Sequence, residues 1–179
     1  MLWLALRLPL LPLEVFPQQP SPSATIARER IVACDPLAAS GGVVPGMRLA
    51  DAWALLPELV VQERDAERER RRLETLACWA GGFTSEVSLA QPDALLLEVA
   101  GSLRLFGGLD ALLARLLHGI AGQGHAARAA LAPTPRAALW LAAAGETATR
   151  QAQDVAETAH AEAVQLPFPR GFEFEHLER

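Results

Sequence analysis

Two amphipathic segments that enclose a hairpin pattern constrain the fold of this chain more than any other feature. The run Asp65 to Trp79 and the leucine-rich run Leu109 to Ile120 both carry apolar residues at helical spacing. Between them, Glu86 to Ala90 and Ala94 to Ala100 are typical of strands, joined by a proline-containing turn. One further strand pattern precedes the first helix and another follows the second helix. The order is therefore strand, helix, strand, strand, helix, strand.

That order predicts an α+β fold of the ferredoxin-like (βαββαβ) type. The first strand, Met1 to Leu8, alternates leucines on one face with Trp3, Ala5 and Arg7 on the other, and the last is the small-residue run Ala126 to Ala132. Since an antiparallel sheet can be covered on a single face, we expect the helices to leave the second face free to be a site.

An insertion separates the first strand from the first long helix. We assign residues 1–9 and 64–145 to the main domain, which ends with an alanine-rich helix, Thr134 to Ala144. Residues 10–63 form the insertion: a proline-rich connection, a short strand at Ile31 to Cys34, a helix at Arg48 to Leu56 and a strand at Leu59 to Val61. Residues 146–179 show no usable period and stay unassigned, as a truncated or divergent segment.

Charge and cysteine usage narrow the possible functions. The net charge of −5 weighs against strong autonomous DNA binding and leaves weak binding possible. Cys34 and Cys78 lie in separate apolar stretches, which favours two buried free thiols in a reducing compartment. Arg7 interrupts the apolar N-terminal run, and no stretch reaches the ~20 apolar residues of a membrane span. We expect a cytoplasmic protein with no membrane partner.

Four motifs resemble one protein family. They are LWLALRLPLLPLE at the start, GGVVPGMRLADAWALLP with FTSEVSLAQPDALLLEVAGSLRLFGG in the middle, and ALAPTPRAALWLA near the end. Together they resemble the palm and fingers of Y-family (UmuC/DinB-like) translesion DNA polymerases over about residues 2–145. The resemblance implies a palm with a small fingers insertion after its first strand. It is greatest to a polymerase-like branch found in bacterial SOS mutagenesis cassettes, which lacks catalysis.

The resemblance also implies where a metal site would lie. Active relatives hold two magnesium ions on palm carboxylates, which clamp the attacking oxygen and the triphosphate. Placed on that pattern, the first acid becomes Arg7 and the next metal-proximal position Pro9, while the acidic pair becomes Asp93 and Ala94. Arginine adds a cation where two cations bind, at a cost of about 4 kcal/mol at 4 Å with substantial screening. We therefore expect no metal, no cofactor and no polymerase activity.

The resemblance also implies that the nucleotide-binding positions of the family are lost in this chain. The steric-gate aromatic falls near Pro12, and the triphosphate-gripping tyrosine and arginine fall near Pro36 and Ala39. Arg128 and Arg136 are the candidates for DNA phosphate contacts, although ordinary surface arginines are the alternative reading. We also predict that Arg7 pairs with Asp93 or Glu98, so that a salt bridge replaces neutralisation by metal.

Two further features favour structural readings. His118 and His125 have no metal-like spacing and are expected to be solvated or capping residues. The run ERDAERERRRLE mixes charges at i,i+3 and i,i+4 spacing, which is typical of a solvated helix face.

By resemblance, the leading hypothesis is a non-catalytic adaptor of SOS DNA-damage tolerance. The family branch implies three partners: a sliding clamp, a RecA-like accessory protein and an error-prone replicative-type polymerase. The family's thumb, little finger and partner-binding tail, through which most of these contacts are made, are not visible here. Two alternatives stay open: an active translesion polymerase fragment with unusual metal ligands, and a truncated product without independent function.

Overall fold

The computed structural model describes residues 1–17 and 21–144. Its strands are β1 (Trp3–Arg7), β2 (Ser23–Ala27), β3 (Arg30–Cys34), β4 (Val60–Glu63), β5 (Val87–Ala90), β6 (Ala94–Glu98) and β7 (Arg128–Ala132). Its helices are α1 (Leu11–Glu14), α2 (Pro36–Ser40), α3 (Leu49–Leu55), α4 (Ala66–Ala80), α5 (Leu103–Phe106), α6 (Leu109–Gly122) and α7 (Pro135–Ala144). The unassigned segment 146–179 lies outside the described residues.

Four strands form an antiparallel sheet in the order β5-β6-β1-β7. β1 is central, and its Leu4 lies opposite Leu97 of β6 and Leu131 of β7. With α4 between β1 and β5 and α6 between β6 and β7, this is the ferredoxin-like order that the sequence predicted. The α+β fold class is thus confirmed.

Alternation along β1 divides the sheet into two faces. The leucines at 2, 4, 6 and 8 are fully buried against the apolar stripes of α4 and α6, including Leu76 and Leu112. Burying each such side chain contributes about 1.5–3 kcal/mol, so this face forms the main core. The opposite face carries Arg7 near its edge.

The second face of this sheet is covered, so the expectation that the helices would leave it free was wrong. We call it the Arg7 face; it carries Trp3, Ala5 and Arg7 of β1. Helix α7 packs on it, where Ala138 and Ala142 lie against Ala5 in a small core of mostly alanine side chains. Because these side chains are short, the helix backbone comes close to the strands. This close packing explains why α7 is rich in alanine.

A second sheet, in the order β3-β2-β4, lies within the insertion. β2 was missed because it follows a run of prolines, and α1 and α2 were missed because each is one turn long and begins at or beside a proline. The side chain of Asp35 caps α2 through Ala38 N and also accepts hydrogen bonds from Ser23, which ties α2 to β2. Helix α5, just after β6, was missed as well. The domain boundaries at residues 9, 63 and 145 stay predictions.

In the described part of the chain, no single helix has the length and apolarity needed to cross a membrane. One pair, Ala100–Phe106 with Leu109–Gly122, passes the test only jointly and is bent by 88°.

Candidate functional site

The predicted palm positions meet at one end of the Arg7 face. Arg7, the last residue of β1, lies directly opposite Ala94 of β6 and Arg128 of β7. Asp93 comes just before β6, and its carbonyl accepts a hydrogen bond from Leu8 N at 2.7 Å. The structure therefore brings Arg7, Asp93 and Ala94 together at one end of the sheet.

Arg7 and Asp93 form an ion pair. Arg7 Nε donates to Asp93 Oδ2 at 2.9 Å, and the two side chains are 33% and 19% exposed. Arg7 Nη1 also donates to the carbonyl of Ala143 in α7 at 3.4 Å. The predicted pairing of Arg7 with Asp93 is confirmed. Glu98, the other candidate, lies at the far end of β6 and accepts hydrogen bonds from the backbone instead.

This donor set does not suit two magnesium ions, which need several hard oxygen ligands. Of the four positions predicted to lie near a metal, only Asp93 carries a carboxylate, and an arginine already bonds one of its oxygens. Arg128, across the strand from Arg7, adds a second cation. Among residues 1–17 and 21–144, no three His, Cys, Asp or Glu side chains are grouped as metal ligands. The residues at this end of the sheet therefore do not fit a two-magnesium site.

The other carried-over positions lie around α1 and α2. Pro9 is in the turn between β1 and α1, and Pro12 is buried within α1. Pro36 begins α2, and Ala39 is exposed on the same helix. A cleft of about 310 Å³ lies between α1 and the second sheet. Pro36 lines this cleft, whereas Pro12 does not. None of these side chains can hydrogen-bond a triphosphate, and their assignment stays a prediction.

The two predicted DNA contacts do not form one cluster. Arg128 begins β7, beside Arg7, whereas Arg136 lies in the first turn of α7, just beyond the other end of β7. Both are exposed. A strand of five residues is about 17 Å long, so the pair would contact phosphates several nucleotides apart. Their role stays a prediction.

His125 is buried and bonded to two charged side chains, contrary to the expectation of a solvated or capping histidine. Its side chain is 2% exposed, and Nδ1 lies 2.9 Å from Glu14 Oε2. Arg72 Nε donates to His125 Nε2 at 2.5 Å, so Nε2 accepts and Nδ1 carries the proton given to Glu14. Glu14 also accepts from Ala126 N. This cluster fastens α1 to α4 and to the loop before β7, so the insertion and the main sheet are joined by polar contacts.

No local signal could have found that cluster, because 111 residues separate Glu14 from His125. The charged run on α4 also contains one buried residue that its charge pattern did not predict. Most of it is exposed as expected, but Glu69 is buried and bonded by Arg64 at 2.6 and 2.7 Å. Hydrogen bonds from Arg70 and Arg71 lower the pKa of exposed Glu67 to about 2.

The two cysteines differ in environment. Cys34 is buried as predicted, and burial raises the pKa of its thiol, with a smaller contribution from Asp35. Cys78 is exposed on α4, so the prediction of a second buried thiol was wrong. Its neighbours Leu76 and Ala80 take the buried stripe of the helix.

Sequence comparison places most of the described chain in one family. The model of the impB/mucB/samB family matches residues 8–143. Two curated relatives, the Protein ImuB of Caulobacter vibrioides strains NA1000 / CB15N and ATCC 19089 / CIP 103742 / CB 15, are each 40% identical over 104 residues. That alignment takes in 58% of this chain and 23% of each relative, so the chain spans about a quarter of their length.

Solved structures of DNA polymerases share the fold. A post-insertion binary complex of Dbh DNA polymerase superposes with a TM-score of 0.69 at 14% identity, over 80% of this chain and 46% of that one. DinB from Sulfolobus solfataricus gives a TM-score of 0.63 at 15% identity, again over 80% and 46%. At these identities the likeness is one of fold, and it matches the palm and fingers expected from the sequence.

Proposed function

Since this chain belongs to the impB/mucB/samB family, we propose that it serves DNA-damage tolerance as a polymerase-like adaptor that does not itself catalyse nucleotide transfer. On this view the palm is retained as a scaffold. Its fold supports the positions of partner and DNA contacts, while the chemistry is left to another polymerase. The similarity to ImuB over 104 residues supports this branch of the family.

The Arg7–Asp93 ion pair carries the proposal. A polymerase palm needs free carboxylate oxygens that converge on two metal ions. Here the one carboxylate among the matching positions is bonded by a guanidinium, and α7 closes the face beside it through Ala143. The pair satisfies both charges without a metal, so the sheet end is a stable structural element.

The partners of such an adaptor follow from the same resemblance: a sliding clamp, a RecA-like accessory protein and an error-prone replicative-type polymerase, in the cytoplasm. Because the chain spans 23% of each curated relative, most of those contacts would fall in segments beyond the matched part. We propose that residues 1–144 contribute the folded core that holds those segments in place.

Domain replacement tests the adaptor role. The part of Caulobacter vibrioides ImuB that aligns with this chain would be replaced by residues of this chain, in cells that lack their own ImuB. We expect the frequency of damage-induced mutation to return to that of cells with intact ImuB. A matched replacement carrying Leu76→Asp, which disrupts the main core, should give no return.

Two outcomes would contradict the proposal. If the stable replacement protein accumulates normally and mutation frequency stays at the level of the deletion, this core does not act as the relative's core does. If the replacement works only when its own polymerase activity is intact, the chain is an enzyme. That activity would be measured as magnesium-dependent primer extension by the purified chain.

A further inference from the structure

A polar cleft lies on the helix-covered side of the main sheet, opposite the Arg7 face. Its walls come from α1, α4 and the loop that joins α6 to β7, and its volume is about 620 Å³. Both α1 and α4 pack on the leucine face of the sheet. None of the metal or nucleotide positions carried over from the family lines this cavity, which we call the α4 cleft.

Three arginines of α4 lie along the cleft because of their spacing. Arg68, Arg71 and Arg72 are at positions i, i+3 and i+4, which share one face of a helix. The one carboxylate on the cleft, Glu14, already accepts hydrogen bonds through both of its oxygens from the loop before β7. Three positive charges and one negative charge leave the cleft with a charge of about +2, in a chain whose net charge is −5.

Arg72 is the least neutralised of these cations. Its Nε donates to His125 at 2.5 Å, and its Nη2 donates to the carbonyl of Gln123 at 2.6 Å. Both acceptors are uncharged. Within residues 1–17 and 21–144, no carboxylate forms an ion pair with Arg72, and its Nη1 makes no hydrogen bond. The guanidinium is therefore fixed in direction and has one nitrogen left for a further acceptor.

The other two arginines are held only weakly by their present partners. Arg68 pairs with Asp65 at 3.2 Å, and Arg71 pairs with Glu67 at 2.9 Å. All four side chains are between 40% and 72% exposed, and ion pairs as exposed as these contribute little to stability. Both guanidinium groups can therefore turn to an anion in the cleft at small cost.

A side-chain amide in the same cleft has a buried donor without a partner. Gln123 Nε2 is buried, and it has no hydrogen-bond acceptor in the part of the chain that the structure describes. Leaving such a donor unpaired is costly, so a buried unpaired group requires an explanation. An anion bound in the cleft would provide the acceptor.

We propose that the α4 cleft binds a small phosphate monoester, such as a sugar phosphate, with its phosphate on the three arginines and on Gln123. A phosphate monoester has three terminal oxygens and a charge of about −1.5 to −2 at neutral pH, which matches both the donors and the local charge. A carboxylate or a nucleic-acid phosphodiester has only two free oxygens and one charge. The cavity is also in the size range of pockets that hold small molecules.

The position of the cleft gives this binding a structural consequence. Glu14 belongs to the insertion, whereas Arg72 and His125 belong to the main domain, and the three are joined by hydrogen bonds. A phosphate held by Arg72 would stabilise this junction. The inference goes beyond the adaptor role and does not depend on it.

Isothermal titration calorimetry of the full chain at low ionic strength tests the charges, with glucose 6-phosphate and inorganic phosphate as the probes. We expect a dissociation constant below about 1 mM for glucose 6-phosphate, and no binding of glucose. The double variant Arg68→Gln/Arg71→Gln should bind about tenfold more weakly, because two charge-assisted hydrogen bonds are lost. The matched control Arg70→Gln/Arg104→Gln removes the same charge from exposed arginines outside the cleft and should change affinity less than about twofold.

Gln123→Leu tests the amide apart from the charges. Leucine is of similar size and lacks the unpaired donor, so the melting temperature of the free protein should not fall. The affinity for glucose 6-phosphate should nevertheless fall about threefold to tenfold. Glucose 6-phosphate should also raise the melting temperature of the parent chain more than that of the double arginine variant. Circular dichroism would confirm that each variant folds.

Three results would overturn the proposal. The first is that neither inorganic phosphate nor glucose 6-phosphate binds the chain at about 10 mM. The second is that the folded variant Arg68→Gln/Arg71→Gln binds glucose 6-phosphate as tightly as the control variant does. The third is that tricarballylate or oligothymidine binds the cleft as tightly as glucose 6-phosphate, which would indicate a carboxylate or a nucleic-acid backbone as the ligand.

Discussion

The Arg7–Asp93 ion pair should be measurable as a coupling energy. Arg7→Met and Asp93→Asn, alone and together, form a double-mutant cycle that isolates the pair from the other contacts of each side chain. Unfolding by urea would be followed by tryptophan fluorescence, to which Trp3 on the same strand contributes. The free energies of unfolding of the four proteins then give the coupling.

The structure sets the expected size of this coupling. At an effective dielectric constant of 20, opposite charges about 4 Å apart attract by about 4 kcal/mol. The side chains are 33% and 19% exposed, so solvent screening and lost rotamer freedom remove a large part of that attraction. We expect a net coupling of about 1–2 kcal/mol, reduced by high salt because Arg7 is partly exposed.

The pair formed by Arg71 and Glu67 on α4 provides a matched control. Its atoms are also 2.9 Å apart, but the side chains are 72% and 51% exposed. We expect a clearly smaller coupling there. If the coupling of Arg7 with Asp93 is below about 0.5 kcal/mol, or no larger than that of the control, the argument that this ion pair stabilises the sheet end in place of metal is refuted.

Three other predictions follow from the packing. His125→Ala should lower the free energy of unfolding by about 1–3 kcal/mol, because it removes a buried side chain that bonds both Glu14 and Arg72, which are themselves partly buried. His118→Ala, at an exposed position, should leave the urea midpoint within error. Iodoacetamide at pH 8 should modify Cys78 well before Cys34, because burial blocks access to Cys34 and the raised pKa of Cys34 keeps its thiol protonated. Peptide mass spectrometry would measure the two rates, and equal rates would contradict this prediction. Gly119→Ala should destabilise the protein by about 1–3 kcal/mol, since the added Cβ would overlap the indole ring of Trp79. An unchanged melting temperature would contradict that contact.

The sheet was predictable because its signals are local and repeated. Alternation in β1 and the leucine stripe of α6 each specify an element, and the order of the elements specifies the topology. The role of α7 was not predictable in this way, because an alanine-rich helix has a weak apolar stripe. Its place on the Arg7 face depends on close backbone packing against Ala5 and Ala130.

The candidate site was predictable only in part. The pairing of Arg7 with Asp93 could be inferred because the resemblance placed both residues at one end of the palm. The cluster around His125 could not, since it unites residues from three separate elements that have no characteristic spacing in the sequence.

Single-turnover primer extension tests the central claim most directly. The purified chain would be used in large excess over a labelled primer-template, with magnesium and all four deoxynucleotides, so that weak DNA binding does not hide activity. Dbh DNA polymerase would be assayed alongside as the active control. We expect no extension above the reaction without protein. Magnesium-dependent, template-directed extension that is lost in Asp93→Asn would contradict the account, because it would show that the carboxylate bonded by Arg7 still holds a catalytic metal.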